Sequence, residues 1–301
     1  MRFLNVRRCL YIFMIASQFL GCADSSFLDK TKIDGSILMG DVVTKNDPVA
    51  ARTVLIAHNF EIINGIPQYF GMCSGVIINS NTILTAAHCT KNIKTSKILM
   101  TTNAHSDHLS NTQVYDIQKV ILHDEYIKSE KTNKLDYKYD LAILKTDRPI
   151  LHSDFDSSYL ISISTEKFIQ STNSFFLNPL IAGFGRNHLF QNSEPSNEPQ
   201  SSPMNGILEK ANVEIPDDQY QNISIVIDQH KKAGVCSGDS GGPLFVNRNG
   251  HLYLQGLAVA VTDLDNNFII RKNFSNCDGQ GVFLNLDFFK DWIATSLGSH
   301  E

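Results

Sequence analysis

The string Cys236-Ser237-Gly238-Asp239-Ser240-Gly241-Gly242-Pro243 sets one serine among three glycines. Backbone without a Cβ can turn tightly and let another chain approach closely. Such a loop can aim several main-chain N–H groups at one point, which is what a developing oxyanion requires. Taken alone, a serine among glycines is a loop feature. Other parts of the chain decide whether Ser240 is a nucleophile, and with that the fold.

Acyl transfer by a serine needs a base, an acid that orients the base, and donors for the oxyanion. His88, in Thr85-Ala86-Ala87-His88-Cys89, is the candidate base. Small residues before it and a cysteine after it suit an imidazole held in a tight turn. The chain has ten histidines, so the residue type alone carries little weight. His105 and His108 lack a Glu or Cys framework and read as surface residues, so no metal is expected. Asp140, in Tyr139-Asp140-Leu141-Ala142-Ile143-Leu144, stands at the lip of an apolar run, where a half-buried carboxylate needs a partner. The 238–242 string also fits the Gly-x-Ser-x-Gly turn of α/β-hydrolases. In that class the serine comes first and the acid and histidine follow. Here it follows both, and no alternating helix–strand pattern surrounds it.

Working outward, short apolar runs recur at 54–57, 75–78, 82–85, 120–122, 141–144, 180–182, 252–260 and 281–286, separated by Gly, Asn, Asp or Pro. This spacing predicts an all-β sandwich or barrel. Near the end, Phe288, Phe289, Trp292, Ile293 and Leu297 fall at helical spacing. They predict a helix over 287–297, capped by Asp287, followed by Gly298, and packed on the last barrel. Residues 191–206 and 128–138 are polar and are expected to be surface loops.

At the other end, Arg2, Arg7 and Arg8 precede an apolar run to Leu20, then Gly21-Cys22-Ala23. That is the order of an export signal, too short for a comfortable membrane span. Phe19-Leu20-Gly21-Cys22 resembles a bacterial lipobox, which implies a lipid on Cys22 and membrane attachment. Cleavage after Ala23 is the alternative. The expected location is therefore extracellular or periplasmic. A net charge of −5 and the absence of long Lys/Arg runs argue against nucleic acid as a partner. Of six cysteines, Cys9 and Cys22 belong to the signal. The remaining four, Cys73, Cys89, Cys236 and Cys277, suggest two disulfides in an exported chain, and counting leaves three pairings open.

Thr-Ala-Ala-His-Cys, Asp-Leu-Ala-Ile-Leu and Gly-Asp-Ser-Gly-Gly-Pro, in that order, resemble the chymotrypsin/trypsin-like serine peptidases across residues 37 to 292. The resemblance implies two six-stranded antiparallel β-barrels, about 37–155 and 156–286, with the C-terminal helix completing a domain at 37–298. Residues 1–22 would be the export signal and 23–36 a propeptide or linker. It implies that His88 is the base, Asp140 its orienting acid and Ser240 the nucleophile, with the N–H groups of Gly238 and Ser240 as the oxyanion hole. It also implies the bridges Cys73–Cys89 and Cys236–Cys277.

Members of that family are made as zymogens, and the freed N-terminus pairs with the aspartate before the nucleophile. Here that would be Ile37, of Ile37-Leu38-Met39-Gly40, with Asp239. The family's acidic pocket floor in trypsin-like members corresponds to Gly234, so a Lys or Arg preference is not implied. The pocket walls correspond to Val261 and Gly281, and a valine there narrows the pocket toward small or medium apolar residues. Asp263 and Asp265 lie in a longer interval than the family's. The expected activity is a secreted serine endopeptidase that acts on protein or peptide substrates as a monomer without a cofactor. Alternatives are an inactive homologue serving as a binding module, or an esterase.

Overall fold

The computed structural model describes residues 37–63, 66–91, 93–104, 112–132, 137–150, 178–185, 206–215, 222–248, 251–262, 277 and 279–298. The expected signal, the propeptide, His105, His108, Asp263, Asp265 and residues 191–205 lie outside them. Among the described residues, fifteen strands follow in chain order. The first nine are β1 (Asp41–Val42), β2 (Thr53–Ala57), β3 (Glu61–Ile63), β4 (Ile66–Gln68), β5 (Met72–Asn79), β6 (Thr82–Thr85), β7 (Lys97–Met100), β8 (Gln113–Leu122) and β9 (Ala142–Thr146). The others are β10 (Asn178–Gly183), β11 (Glu209–Asn212), β12 (Ser224–Asp228), β13 (Pro243–Arg248), β14 (His251–Thr262) and β15 (Gln280–Asn285). Among the described residues two α-helices accompany them, α1 (Asp124–Lys131) and α2 (Leu286–Gly298).

Strands β2, β5, β6, β9, β8 and β7 close a six-stranded antiparallel barrel. Its strands carry branched aliphatic residues on both faces: Leu55, Ile56, Ile83, Leu84, Ile98, Leu99, Ile143 and Leu144 are fully buried. Each such side chain stabilises the fold by about 1.5–3 kcal/mol. Strand β8 is largely solvated, with Gln113, Asp116, Gln118 and Lys119 exposed and only Tyr115 buried. By contrast β2 is buried throughout, because β10 of the second sheet packs against β2 and β5.

The second sheet runs β1-β11-β10-β13-β14-β15-β12. Where a second six-stranded barrel is expected from the resemblance, six strands are present with a seventh added, as an open ladder among the described residues. The added strand is β1, whose Asp41 and Val42 pair with Lys210 and Glu209 along the outer edge of β11. The described residues therefore start in the second sheet before entering the first barrel, which carries Ile37 into the second core.

The predicted C-terminal helix forms as α2. Its first turn is capped by Asn285 Oδ1, which accepts from Asp287 N at 3.3 Å, so Asp287 lies inside the helix instead of capping it. Helix α2 contacts β14, and it also reaches the first barrel's return segment. The His123 ring lies 5.2 Å from Tyr139, 5.5 Å from Phe289 and 5.0 Å from Trp292. That cluster braces the turn immediately before Asp140.

The loop expected over 128–138 is partly helical. Residues 128–131 complete α1, which His123 Nδ1 caps by accepting from Glu125 N. A Glu125–Lys128 pair at 2.6 Å links successive turns on the exposed face, where solvent screens it.

Two disulfides pin the loops next to these sheets. Cys73 of β5 joins Cys89, with Cα atoms 6.0 Å apart, and Cys236 joins Cys277, with Cα atoms 5.3 Å apart. They close loops of 16 and 41 positions, worth about 3 and about 4 kcal/mol in the chain-entropy account.

Candidate active site

His88 sits in a 3₁₀ turn, Ala87–Thr90, at the end of β6. The turn is closed by Thr90 Oγ1 donating to Ala87 O at 2.8 Å, and it is tied to β5 through the Cys73–Cys89 bridge. The two sulfurs lie close to the His88 ring, but they are bonded to each other and offer no thiolate to a metal.

Asp140 enters from the start of β9 and holds this turn at three points. Its Oδ1 accepts the His88 main-chain N–H at 2.7 Å, its Oδ2 lies 2.6 Å from His88 Nδ1, and its carbonyl accepts Ala87 N at 3.2 Å. A carboxylate can only accept, so Nδ1 carries the proton and Nε2 is left as the basic nitrogen. The imidazole is about a third exposed (35%) whereas the carboxylate is 6% exposed. The acid is thus buried beneath an imidazole that faces solvent on its other side.

Ser240 comes from the loop between β12 and β13, in the other sheet. Its carbonyl accepts Ser74 N of β5 at 2.8 Å, so the serine loop is hydrogen-bonded directly to the first barrel. The next residue shows how close the approach is. Gly241 has φ +81°, and a Cβ there would overlap Ser74 O and Thr85 Oγ1. Only glycine allows that fit. Ser74 Oγ adds two further ties, accepting Phe184 N at 3.0 Å and donating to Gly238 O at 3.1 Å.

With the Gly238 carbonyl turned toward Ser74 and φ at +102°, its N–H is committed to no hydrogen bond among the described residues, and neither is that of Ser240. Ser240 Oγ and His88 Nε2 also make no hydrogen bond among the described residues.

Beneath the loop, Asp239 is fully buried. Its Oδ2 accepts Cys236 N and its Oδ1 accepts Gly185 N, each at 2.8 Å. Burial pushes its carboxyl well above the usual range. The two N–H donors oppose that shift, and the charge of nearby Glu209 adds to it.

The Ile37 N–H does not meet Asp239 in this uncut chain. It donates to Glu209 Oε2 at 3.0 Å, and Leu38 pairs with Gly234 in both directions, at 2.9 and 3.3 Å. A neutral amide needs a single acceptor, and Glu209, on the strand beside β1, is the one in register.

Three residues that shape this region were not apparent from the motifs. Glu209 is one. His58 is a second imidazole within electrostatic reach of His88. Burial first, and then the His88 charge, lower its pKa, and its Nδ1 lies 2.8 Å from Ser96 Oγ.

The third is Gln229, just beyond β12. Its Nε2 donates to Val235 O at 2.8 Å and to Cys277 O, and its Oε1 accepts Val235 N at 3.0 Å. It lies between Gly234 and Gly281. Gly281 in turn is paired across the sheet with Val261. No sequence pattern distinguishes Gln229 from the polar residues that follow it.

The trypsin family model matches residues 58–293. Bovine coagulation factor XI is 25% identical over 245 residues, covering 75% of this chain and 33% of that protein. The CLIP domain-containing serine protease B4 of Anopheles gambiae is 25% identical over 249 residues, covering 75% of this chain and 62% of the relative. Trypsin zeta of Drosophila erecta is 26% identical over 273 residues, covering 88% and 87%. The chain thus spans about a third of the factor XI length and under two thirds of the second relative's. With the family match running across most of its length, over a chymotrypsin-like fold, the chain belongs to the trypsin family of serine proteases.

Proposed function

We propose that this chain is a serine endopeptidase that hydrolyses peptide bonds through an acyl-enzyme on Ser240. The observation that carries the reading is the Asp140–His88 pair at 2.6 Å, held on one barrel while the Ser240 loop is hydrogen-bonded onto that same barrel through Ser74.

In the reaction, His88 Nε2 takes the Ser240 hydroxyl proton as Oγ attacks the scissile carbonyl. Asp140 keeps the proton on Nδ1 and balances the imidazolium that forms. The N–H groups of Gly238 and Ser240 receive the carbonyl oxygen as it becomes an oxyanion. The imidazolium then protonates the leaving amine, and water repeats the sequence to release the acid.

The activating cut is placed between Ser36 and Ile37. It turns the Ile37 amide into an ammonium next to Asp239 and Glu209, two carboxylates that otherwise share a buried region. Because Leu38 pairs with Gly234, seating this N-terminus also orders the segment leading to the nucleophile loop. Gly234 in place of an acid, with Val261 on the wall, supports small or medium apolar residues before the scissile bond. Two disulfides support an exported protein.

The test uses the processed chain. Peptide cleavage is measured for wild type and Ser240→Ala, together with labelling by a peptidyl diaryl phosphonate that phosphonylates only activated serines, with loss of an aryloxide. Cleavage and Ser240 labelling that both vanish in the variant are the expected result. Equal activity in the two proteins overturns the assignment. Tight peptide binding without turnover in the wild type assigns the chain to a binding role instead.

A further inference from the structure

We infer that Gln229 is a specificity-determining residue, whose amide fills the floor of the primary pocket and makes it shallow and neutral, suited to peptides with Ala or Val before the scissile bond. This rests on the peptidase reading and on Gly234 and Gly281 as pocket residues.

Two glycines locate the side chain. The three atoms nearest the missing Cβ of Gly234 all belong to Gln229, and its Oε1 and Cδ would overlap that Cβ. From the opposite side, a Cβ on Gly281 would lie 2.7 Å from the same Oε1. Side chains at these two positions would converge on one volume, and the Gln229 amide occupies it. A pocket bounded by two glycines would be deep if that volume were empty. Here its depth is filled by a residue from a third segment.

The amide is also held in place. Gln229 is 1% exposed, and its main-chain N–H donates to Gly279 O at 3.0 Å. Both Nε2 protons are used, on Val235 O and Cys277 O, and Oε1 accepts Val235 N. These bonds fasten it to the residue beside Gly234 and to the Cys236–Cys277 bridge. Displacing it to admit a large side chain would break three buried hydrogen bonds at once, each costly to leave unmade. A cationic side chain would meet a neutral amide whose acceptor already serves a main-chain N–H, and no balancing carboxylate among the described residues.

The bland alternative is a glutamine that only ties loops together. It predicts that replacing Gln229 lowers turnover of every substrate equally. The pocket role predicts a change in the ratio between substrates.

The experiment measures kcat/KM on matched peptides with Ala, Val, Phe or Lys before the scissile bond, for wild type, Gln229→Ala and Gln229→Leu. Wild type is expected to favour Ala and Val. Gln229→Ala, which empties the volume, should raise the Phe-to-Ala ratio by about 10-fold or more. Gln229→Leu, which refills it, should keep the wild-type ratio. An unchanged ratio in a folded Gln229→Ala protein, or a wild type that favours Phe or Lys, overturns the inference while leaving the peptidase reading intact. A wild type that favours Phe or Lys overturns the inference even if the variants do not fold. A wild type that cleaves none of the peptides and resists phosphonate labelling removes both readings together.

Discussion

The main-chain N–H of Ile37 donates to Glu209 Oε2 across 3.0 Å, between residues 172 positions apart, in the core of the second sheet. Ile37 is fully buried and Glu209 is 2% exposed. Asp239, also fully buried, feels the Glu209 charge. Two buried carboxylates in one region repel, and a cation between them relieves both burial and repulsion. The uncut chain supplies only an amide there, whereas a cut before Ile37 supplies an ammonium.

The first prediction is that active enzyme begins at Ile37, read by N-terminal sequencing. Asp239→Asn should lower kcat/KM by about 100-fold or more, because the loop carrying Gly238 loses its anchor. Glu209→Gln should cost about 10-fold, the worth of one charge-assisted hydrogen bond. Full activity in a chain that starts before Ile37, or after acetylation of its α-amine, would refute the cut.

A second prediction concerns pH, with Ser240→Ala used to prevent self-cleavage. In the uncut chain the folded pKa of Asp239 lies above its ordinary 3.8, chiefly because it is buried. The folded state then binds more protons than the unfolded chain, so stability falls as pH rises through that window. A chain made to begin at Ile37 offers the ionised carboxylate a partner. Its melting temperature should therefore gain on the uncut form as pH rises above the ordinary carboxylate value of 3.8. Parallel melting curves across that range would mean that the ammonium does not reach the pair.

The third prediction apportions the triad. Ser240→Ala and His88→Ala should each lower kcat by about 10⁴–10⁶-fold without unfolding the chain. Asp140→Asn should cost about 10⁴-fold, because an amide can donate to Nδ1 and so favours the wrong tautomer. A loss under tenfold for Asp140→Asn would mean that the 2.6 Å contact to His88 only holds the loop.

The fourth prediction tests the joint between the two sheets. Gly241→Ala adds a Cβ into Ser74 O and Thr85 Oγ1 at φ +81°. The left-handed backbone alone costs about 1–2 kcal/mol for an alanine, and the overlap with main chain adds to it. Lower melting temperature together with loss of Ser240 labelling is expected. A stable, fully reactive variant would show that the serine loop does not rest on the first barrel in this way.

The candidate triad was legible in the sequence because each of its residues lies in a short, self-sufficient string. His88 sits among small residues next to a cysteine, Asp140 opens an apolar run, and Ser240 lies among the glycines its turn requires. Strands such as β6 and β9 were legible for a similar reason, since Val, Ile and Leu runs of strand length carry their own signal.

Tertiary structure alone decided the rest. Strand β11, Glu-Lys-Ala-Asn, has no strand pattern of its own and is extended because β10 and β1 pair with its two edges. Residues 128–131 read as loop, yet the His123 cap and the Glu125–Lys128 pair make them the last turn of a helix. Glu209 and Gln229 look like ordinary polar residues until folding buries them, one against Ile37 and the other between Gly234 and Gly281. A buried polar group takes its role from the partners that satisfy it, and those partners are set by packing between distant segments.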